Sequence, residues 1–389
     1  MIILEKPYVS EFLIDSIVQN DWQVLENDVI QSVEIEDGAI KKISSLMAKN
    51  YYLAQEFPLI YSNAEEGIGW VLQNLPTSNL SDYINTFRDK VAFRKILQEL
   101  YPDFYYQEYT LGELKTQNNE NLKFPVVIKP AVGFLNFGVH QVRSATELKD
   151  AVSTIEKEMK QAALLYSDKV INSSKFIAEE LVEGEEFGID CYFDRDGEPV
   201  ILNIFQHPYL NAKDNSARIY LMSAGIMIKY MARFGLLLRE IGKLKNIKNF
   251  PMHIELRVTS DEKIIPIEIN PMRFAAWCVT DIAKYAWGVN VYECFFEQKR
   301  PDWNNILSKA GKEVFYYSMA EIPKIINRKK IKGFQYERFL SYFSNVLEVR
   351  RIDPSQNPIA AVVFGSTMKK DEVLKILALN MKDFVITSE

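Results

Sequence analysis

Two glutamates and an asparagine in one short stretch have the types and spacing to hold a cation. The stretch reads Met252-His-Ile-Glu-Leu-Arg-Val258, then the polar Thr259 to Lys263, then Ile264-Ile-Pro-Ile-Glu-Ile-Asn270. Alternation with a period of two predicts a β-hairpin. Met252, Ile254, Leu256 and Val258 fall on one face of its first strand, and His253, Glu255 and Arg257 on the other. In its second strand Ile265, Ile267 and Ile269 share a face, and Ile264, Pro266, Glu268 and Asn270 share the opposite one. Folding about a turn centred near Asp261 and Glu262 sets Glu255 opposite Glu268 and His253 opposite Asn270. Carboxylates directly opposite on a sheet are roughly 5 Å apart and repel. Folding does not need such a pair, and a divalent cation would turn repulsion into attraction. An all-oxygen set of two glutamates and an asparagine carbonyl suits Mg²⁺ with phosphates completing the octahedron, and does not suit zinc. The competing view is a solvated strand face with two unrelated glutamates. Pro266 has no ladder donor, so its strand belongs at an edge or the residue at a non-bonded position.

Other residues fit phosphate chemistry less specifically. Lys129 ends the strand Val126-Val127-Ile128 between prolines, a point charge on a rigid element. Gly133 and Gly138 would let backbone N–H groups of the loop Ala131 to Gly138 approach phosphate oxygens. Lys90 lies on the preceding amphipathic segment and on charge pattern alone is a solvated helix lysine. Ala178 to Gly188 reads as a strand, an acidic turn and another strand. Arg218 is a candidate for binding an anion, or a surface arginine. There is no G-x-x-x-x-G-K-[ST], no kinase H-R-D or D-F-G set, and no G-x-G-x-x-G after the first strand.

The elements around these residues alternate. Ile2 to Leu4, Trp22 to Leu25 and Pro58 to Tyr61 read as strands, and Ser10 to Gln19 and Gly67 to Leu75 as helices, which suggests a doubly wound unit. Asp82 to Leu100 reads as one amphipathic helix with Phe93, Ile96, Leu97 and Leu100 as its stripe. A strand at Phe124 to Pro130, a return strand at Val139 to Val142, a capping box at Ser144 to Glu147 with a long helix, and strands at Phe176 to Val182 and Glu186 to Phe193 follow. Residues 217–240 read as helix. The last 80 or so residues alternate again around the buried strand Ala360 to Phe364 and suggest a small separate α/β lobe.

Composition sets the frame. The chain has 389 residues, 46 Lys plus Arg and 52 Asp plus Glu, for a net charge of −6. That length predicts about two to three domains. The mild acidity gives no pull toward nucleic acid or anionic lipid. Hydrophobic residues make up 48% and charged residues 25%, so long disorder is not expected. No apolar run approaches the roughly 18 residues of a membrane helix, and Met1 to Pro7 reads as neither a signal nor a transit peptide. Cys191, Cys278 and Cys294 are widely spaced, which predicts reduced, partly buried thiols and a cytoplasmic protein. His140, His207 and His253 are far apart, so a histidine-rich zinc site or a Ser-His-Asp hydrolase is not expected.

The order and spacing of these pieces resemble the ATP-grasp superfamily over about residues 85 to 300. Asp89-Lys90 and Val127-Ile128-Lys129-Pro130 match its two phosphate-binding lysines, and Ala131 to Gly138 its phosphate-covering loop. Glu179, Glu180 and Val182 fall where the family meets adenine, and Glu186, with Glu185 as fallback, where it holds the ribose hydroxyls. Glu255, followed thirteen positions later by Glu268-x-Asn270, matches its metal motif. Here Asn270-Pro271-Met272-Arg273 puts the arginine one place later than in the family and lacks its glycine pair. The resemblance implies an α/β (α+β) ATP-grasp fold with an N-terminal pre-ATP-grasp domain over residues 1–85. The ATP-grasp domain would span 86–300, with a lid over 120–182 and a metal and substrate subdomain over 183–300, and a small C-terminal α/β lobe 301–389. It implies ATP and Mg²⁺, with Mn²⁺ an admissible substitute. The implied reaction is ADP-forming: a carboxylate is activated as an acyl phosphate and joined to an amine. Arg273, Arg218 and His253 are then the candidates facing the reacting groups. A bicarbonate-using enzyme of the biotin-carboxylase or carbamoyl-phosphate type, and a non-catalytic ATP-binding sensor, are the alternatives. The implied partners are small-molecule carboxylates and amines, with a homodimer left open and neither nucleic acid nor membrane expected.

Overall fold

The computed structural model describes residues 1–32, 38–116, 122–133, 138–163, 175–210, 218–323 and 325–388. The N-terminal unit is a four-stranded sheet of β1 (Ile2–Ile3), β2 (Gln23–Leu25), β3 (Lys41–Ile43) and β4 (Tyr61–Ser62), in the order β3-β2-β1-β4. All its pairings are parallel, as a doubly wound unit requires, because helices must carry the chain back between strands. Ser10 accepts from the Leu13 N–H and starts the helix Glu11–Gln19.

A second four-stranded sheet contains β5 (Tyr106–Thr110), β6 (Val126–Pro130), β7 (His140–Val142) and β8 (Lys175–Glu180), in the order β5-β8-β6-β7. The helix Ala145–Ala163 covers it with Leu148, Val152, Ile155 and Met159, at helical spacing.

The largest sheet has eight strands. They are β9 (Glu185–Phe193), β10 (Pro199–His207), β11 (Ile219–Ser223), β12 (Phe250–Val258), β13 (Ile264–Pro271), β14 (Val314–Glu321), β16 (Val346–Arg351) and β17 (Ile359–Thr367), ordered β13-β12-β9-β10-β11-β14-β17-β16. The strands β15 (Ile331–Phe334) and β18 (Val385–Thr387) pair separately. The helix Ala224–Lys245 packs on the large sheet through Met227, Tyr230, Phe234, Leu238 and Ile241. All three cysteines are free and buried. Among the described residues no helix is long and apolar enough to cross a membrane.

Three elements differ from the sequence expectation. Residues 217–240 are not all helix: Ile219–Ser223 pairs with β14, and Ser223 then caps a helix that begins at Ala224. The helix expected over 82–100 is two helices, Asn79–Arg88 and Lys90–Leu97. Asp89 breaks it by adopting extended backbone and accepting from the Val91 and Ala92 N–H groups, a trade of one helical residue for an N-cap. The C-terminal α/β lobe is joined to the central domain rather than separate from it, because β14, β16 and β17 continue the large sheet. Every residue of β17 is buried, so it needs cover on both faces, which a small lobe alone would not give.

That continuity is tightly packed. Gly365 lies opposite Tyr316, and a Cβ built on it would be 2.6 Å from the buried Tyr316 ring. Gly365→Ala should therefore destabilise the protein by about 1–3 kcal/mol, the usual cost of overpacking. A urea midpoint equal to wild type, at unchanged m-value, would refute this packing.

Candidate functional site

One face of the large sheet gathers the polar residues in ranks across adjacent strands. His253 lies between Asn270 and Asp190, and Asp190 is paired in turn with Asn203. Glu255 lies between Glu268 and Gly188. Arg257 is paired with Glu186, and Glu186 with His207. The hairpin register is thus the expected one from Met252 to Glu255. Beyond it a bulge leaves Ile267 without a partner, so Leu256 faces Pro266 and Arg257 faces Ile265. This reverses the expected faces of Ile265 and Pro266. The cause is Pro266 itself, which has no N–H to give the ladder, on a strand at the sheet edge. The bulge frees the Pro266 carbonyl to accept from Arg94 Nη1 at 2.6 Å.

The paired carboxylates are neutralised by Lys90. Because Asp89 caps the second helix, Lys90 is its first residue, with its backbone N–H on Ala131 O and its ammonium 3.2 Å from Glu268 Oε2 and 3.3 Å from Gly133 O. Burial would lower the Lys90 pKa, but the Glu268 charge outweighs it and the pKa rises. The two glutamates are pushed apart in acidity. Burial, then Glu268 and Glu186, raise Glu255 to about 8. Burial acts upward on Glu268 too, but Lys90 and Lys129 outweigh it and keep that carboxyl below its ordinary range. One proton and one ammonium stand where a dication would satisfy both carboxylates. The donor set of Glu255, Glu268 and the Asn270 carbonyl therefore fits Mg²⁺ or Mn²⁺. Among the described residues no group of three or more His, Cys, Asp or Glu has the arrangement of a metal cluster.

Lys129 is held from beneath. Its ammonium is 2.6 Å from Glu179 Oε1, and Arg94 Nε donates to Glu179 Oε2 at 2.6 Å. Burial would raise the Glu179 pKa, but Arg94 and Lys129 bring it down to about 2. Glu179 is 3% exposed and Arg94 is 3% exposed, so this triad is sealed. The Glu179 side chain thus has both oxygens engaged, one by Lys129 and one by Arg94. Glu180 and Val182 remain at the connection between β8 and β9. Glu180 accepts weakly from the Tyr105 N–H at 3.3 Å, and the Val182 carbonyl accepts from Arg257 Nη1 at 2.6 Å. Glu186 receives Arg257 through Nε at 2.9 Å and Nη2 at 2.6 Å, and Tyr209 OH at 2.7 Å. Glu185 accepts from Gln206 and Tyr230.

Of the two loop glycines, Gly133 presents its carbonyl to Lys90, as above. The Gly138 N–H is not free for a phosphate, since it donates to Glu158 at 3.0 Å. Gly138 has φ of +70° and a Cβ there would press on Met159 and Pro130, so it is a turn glycine. Residues 134–137, the centre of the expected phosphate-covering loop, lie outside the described residues.

Past the hairpin, Arg273 Nη2 donates to Asn270 Oδ1 at 2.7 Å and to Glu65 Oε1 at 3.3 Å, and Nη1 to Phe274 O at 3.0 Å. His253 Nδ1 is 2.8 Å from Asp190 Oδ1, and its Nε2 is 3.8 Å from Glu255 Oε1. Asp190 Oδ1 also accepts from the Ala275 N–H at 2.7 Å. Arg218, another candidate, reaches the C-terminal segment. Its guanidinium donates to Leu377 O at 2.6 Å and Leu379 O at 3.4 Å, carbonyls at the end of the helix Lys370–Leu377. These bonds tie it to the C-terminal segment, where a cation is favoured at a helix C-terminus.

Arg94, Asp190, Arg257 and Tyr209 were not legible as site residues. Arg94 carries a usable signal only in hindsight, one turn after Lys90 on the same helix.

With this geometry in view, comparison with known proteins is informative. Residues 122–281 match the ATP-grasp domain family, so the chain carries an ATP-grasp domain. Its fold is similar to that of L-amino acid ligase from Bacillus licheniformis, with a TM-score of 0.66 at 16% identity over 100% of this chain and 98% of that one. It is similar to biotin carboxylase from Campylobacter jejuni, with a TM-score of 0.62 at 11% identity over 100% and 91% of the two chains. It is also similar to N5-carboxyaminoimidazole ribonucleotide synthetase from Thermotoga maritima, with a TM-score of 0.61 at 14% identity over 100% and 99%. No curated protein matches the chain.

The buried triad makes a stability prediction. Glu179 has a depressed pKa, so its contribution is present above the unfolded carboxyl pKa and is lost as pH falls through about 2. Glu179→Ala leaves Arg94 and Lys129 buried without their counter-charge and should cost about 3–5 kcal/mol at pH 7. A thermal or urea denaturation midpoint within error of wild type would refute the triad.

Proposed function

We propose that the protein is an ATP-dependent, ADP-forming ligase that activates a small-molecule or peptide carboxylate and joins it to an amine. The observation that carries this is the Glu255–Glu268–Asn270 set with Lys90 against it, beside the ion-paired Lys129, on an ATP-grasp domain. Phosphoryl transfer requires positioning and charge neutralisation more than covalent protein chemistry. Bound to Glu255, Glu268 and Asn270, Mg²⁺ would neutralise charge on the β- and γ-phosphates.

The residues have separable tasks in this scheme. Val182 and Glu180 flank the base, and Glu186 the ribose. With a dication held by the carboxylates, Lys90 would be free to turn from Glu268 to the phosphates, and Lys129 is presented by Glu179. Arg273 offers a planar fork to a carboxylate or to the acyl phosphate. His253, oriented by Asp190, presents Nε2 beside the reacting phosphate. The substrate carboxylate attacks the γ-phosphorus and ADP leaves. The amine then attacks the acyl carbon and phosphate leaves. The domain architecture expected from the sequence belongs to the same proposal: an N-terminal unit to residue 85, an ATP-grasp domain to residue 300 and a C-terminal segment beyond. A cytoplasmic location is proposed with it.

The test is ADP release from Mg-ATP across a matrix of amino acids, dipeptides, other carboxylates and bicarbonate. Release that requires one carboxylate and one amine is the expected result, with Glu268→Gln reducing it at least about 100-fold while the fold survives. Release with bicarbonate alone would replace this proposal by the carboxylase type, and binding of MgADP without release by the sensor. Wild-type activity in Glu268→Gln would refute the metal assignment.

A pH dependence follows from Glu255. A cation needs Glu255 ionised, and its pKa is about 8. Mg²⁺ binding should therefore release a proton, and its affinity should fall as pH drops below 8, by up to about tenfold per unit. Calorimetry of Mg²⁺ binding in two buffers of different ionisation heat measures the proton. Equal affinity at pH 6.5 and 8.5 would contradict it.

A further inference from the structure

The large sheet has two edges, and the fold covers only one of them. At β13 the Tyr101 hydroxyl donates to Ile264 O and Arg94 to Pro266 O. At the other edge β16 is paired with β17 alone. Ile352, one residue past β16, gives its N–H to Ala360 O at 2.9 Å, on the β17 side. In an antiparallel ladder successive residues turn their N–H and C=O groups to opposite sides. Val349 and Arg351 therefore turn theirs outward, where neither has a backbone partner among the described residues. The irregularity of β16 lies between Val346 and Glu348 and leaves Glu348 to Arg351 in regular pairing with β17. An open, regular edge is a template for another strand.

This edge is apolar at one end and symmetric in charge at its centre. Tyr342, Val346 and Leu347 are 44%, 38% and 37% exposed, and Met368, just past the end of β17 that pairs with Val346, is 68% exposed. Glu348 and Arg350 share one face of β16 and are ion-paired, and Arg350 also reaches Asp281 at 2.8 Å. Val349 and Arg351 share the other face, where Arg351 lies over the Tyr336 ring, 4.8 Å from its centroid. The order around Val349 is Glu-Val-Arg, with opposite charges on the two sides of the centre. A second β16 running antiparallel about a two-fold axis at Val349 sets Glu348 opposite the partner's Arg350 in both halves, and such pairs attract. Sliding it by two residues sets Glu348 against the partner's Glu348, or Arg350 against the partner's Arg350, and like charges directly opposite are destabilising. Sliding it by one sets outward backbone groups against inward ones and breaks the ladder.

We infer that β16 is the seam of a two-fold dimer, in which two copies of this chain join their large sheets edge to edge with Val349 on the axis. The occupant is a second copy because the edge is its own complement. Charge order, hydrogen-bond direction and antiparallel sense are all met by the same six-residue strand turned about one axis, the self-matching that a two-fold interface requires. Each Val349 N–H donates to the carbonyl of the partner's Val349. Arg351 lies opposite the partner's Leu347, an apolar side chain against the aliphatic stem of an arginine. The axis also carries the apolar end of each strand to the opposite end of the seam, so exposed apolar surface is covered at both ends. The two eight-stranded sheets become one.

Two measurements on the full chain test the seam. Sedimentation equilibrium at about 100 μM, above the Kd of a micromolar association, should return twice the 45.1 kDa of one chain. Val349→Pro removes the N–H at the axis, which the ladder to β17 does not use, and should return the mass of one chain. Val349→Cys should form a covalent dimer on oxidation, because residues facing each other across the axis have Cα atoms about 5.5 Å apart, within reach of a disulfide. Arg351→Cys alone should form none, since its two copies are four residues apart along the seam, about 13 Å. The three native cysteines are buried and do not compete. A single mass for wild type would overturn the second copy as occupant. A double mass that survives Val349→Pro would overturn β16 as the seam, and cross-linking of Arg351→Cys alone would overturn the register. Where the proline variant does not fold, Val349→Cys decides: a double mass without its cross-link places the interface elsewhere and overturns the proposal.

Discussion

Two carboxylates facing each other on neighbouring strands are the constraint around which the site is arranged. Glu255 and Glu268 are directly paired in the sheet, and their mutual repulsion must be met by positive charge or by a proton. The protein supplies both. Lys90 lies at Glu268, and Glu255 is driven toward its neutral form. Placing Lys90 there requires a helix to start at that residue, and the Asp89 cap enforces the start. The same helix carries Arg94, which reaches past Glu268 to the Pro266 carbonyl and to Glu179. Glu179 then holds Lys129. One helix therefore carries both the cation that neutralises the hairpin, Lys90, and the arginine that joins the hairpin backbone to the Glu179–Lys129 pair of the second sheet.

The sheet edge makes this possible. β13 is the last strand of the large sheet, so its outer side is open to Lys90 and Arg94. A central strand would have spent its carbonyls on a neighbour. The bulge at Ile267 has the same origin: Pro266 cannot donate, the ladder slips by one residue, and the freed carbonyl becomes an acceptor for Arg94. The slip falls beyond Glu255 and Glu268, so the pair stays in register while the turn end does not.

How much of this was written in the chain depends on the range of the interaction. The Glu255–Glu268 and His253–Asn270 pairings were legible because a hairpin is local and its period and turn fix the register. The bulge was not, since Pro266 announces a defect in pairing but not on which side the ladder slips. The break at Asp89 was hidden by an apolar stripe that runs through it; an aspartate inside a continuous pattern reads as a solvated residue. Arg94, Asp190 and the inward turn of Glu179 depend on partners 85, 63 and 85 positions away, and no local pattern encodes such a meeting. The bond from Arg218 to the end of a C-terminal helix, 159 positions away, was illegible for the same reason.

The segment after Asn270 shows how the outer parts of the chain serve the site. Met272, Trp277 and Cys278 all have φ between 55° and 65°, a left-handed conformation that costs non-glycine residues of the order of 1–2 kcal/mol each. Such strain persists only where surrounding contacts over-determine it. Those contacts come from three directions. Glu65 of the N-terminal unit takes Arg273, Asp190 of the large sheet takes the Ala275 N–H, and Arg350 on β16 pairs at 2.8 Å with Asp281, which also accepts from Tyr292. The glycines that would relieve the strain are absent from this segment, so its shape depends on side chains contributed by all three parts of the molecule. Arg273 and the Asp190–His253 pair are therefore positioned together, and the N-terminal and C-terminal parts act on the site through the geometry of this one segment.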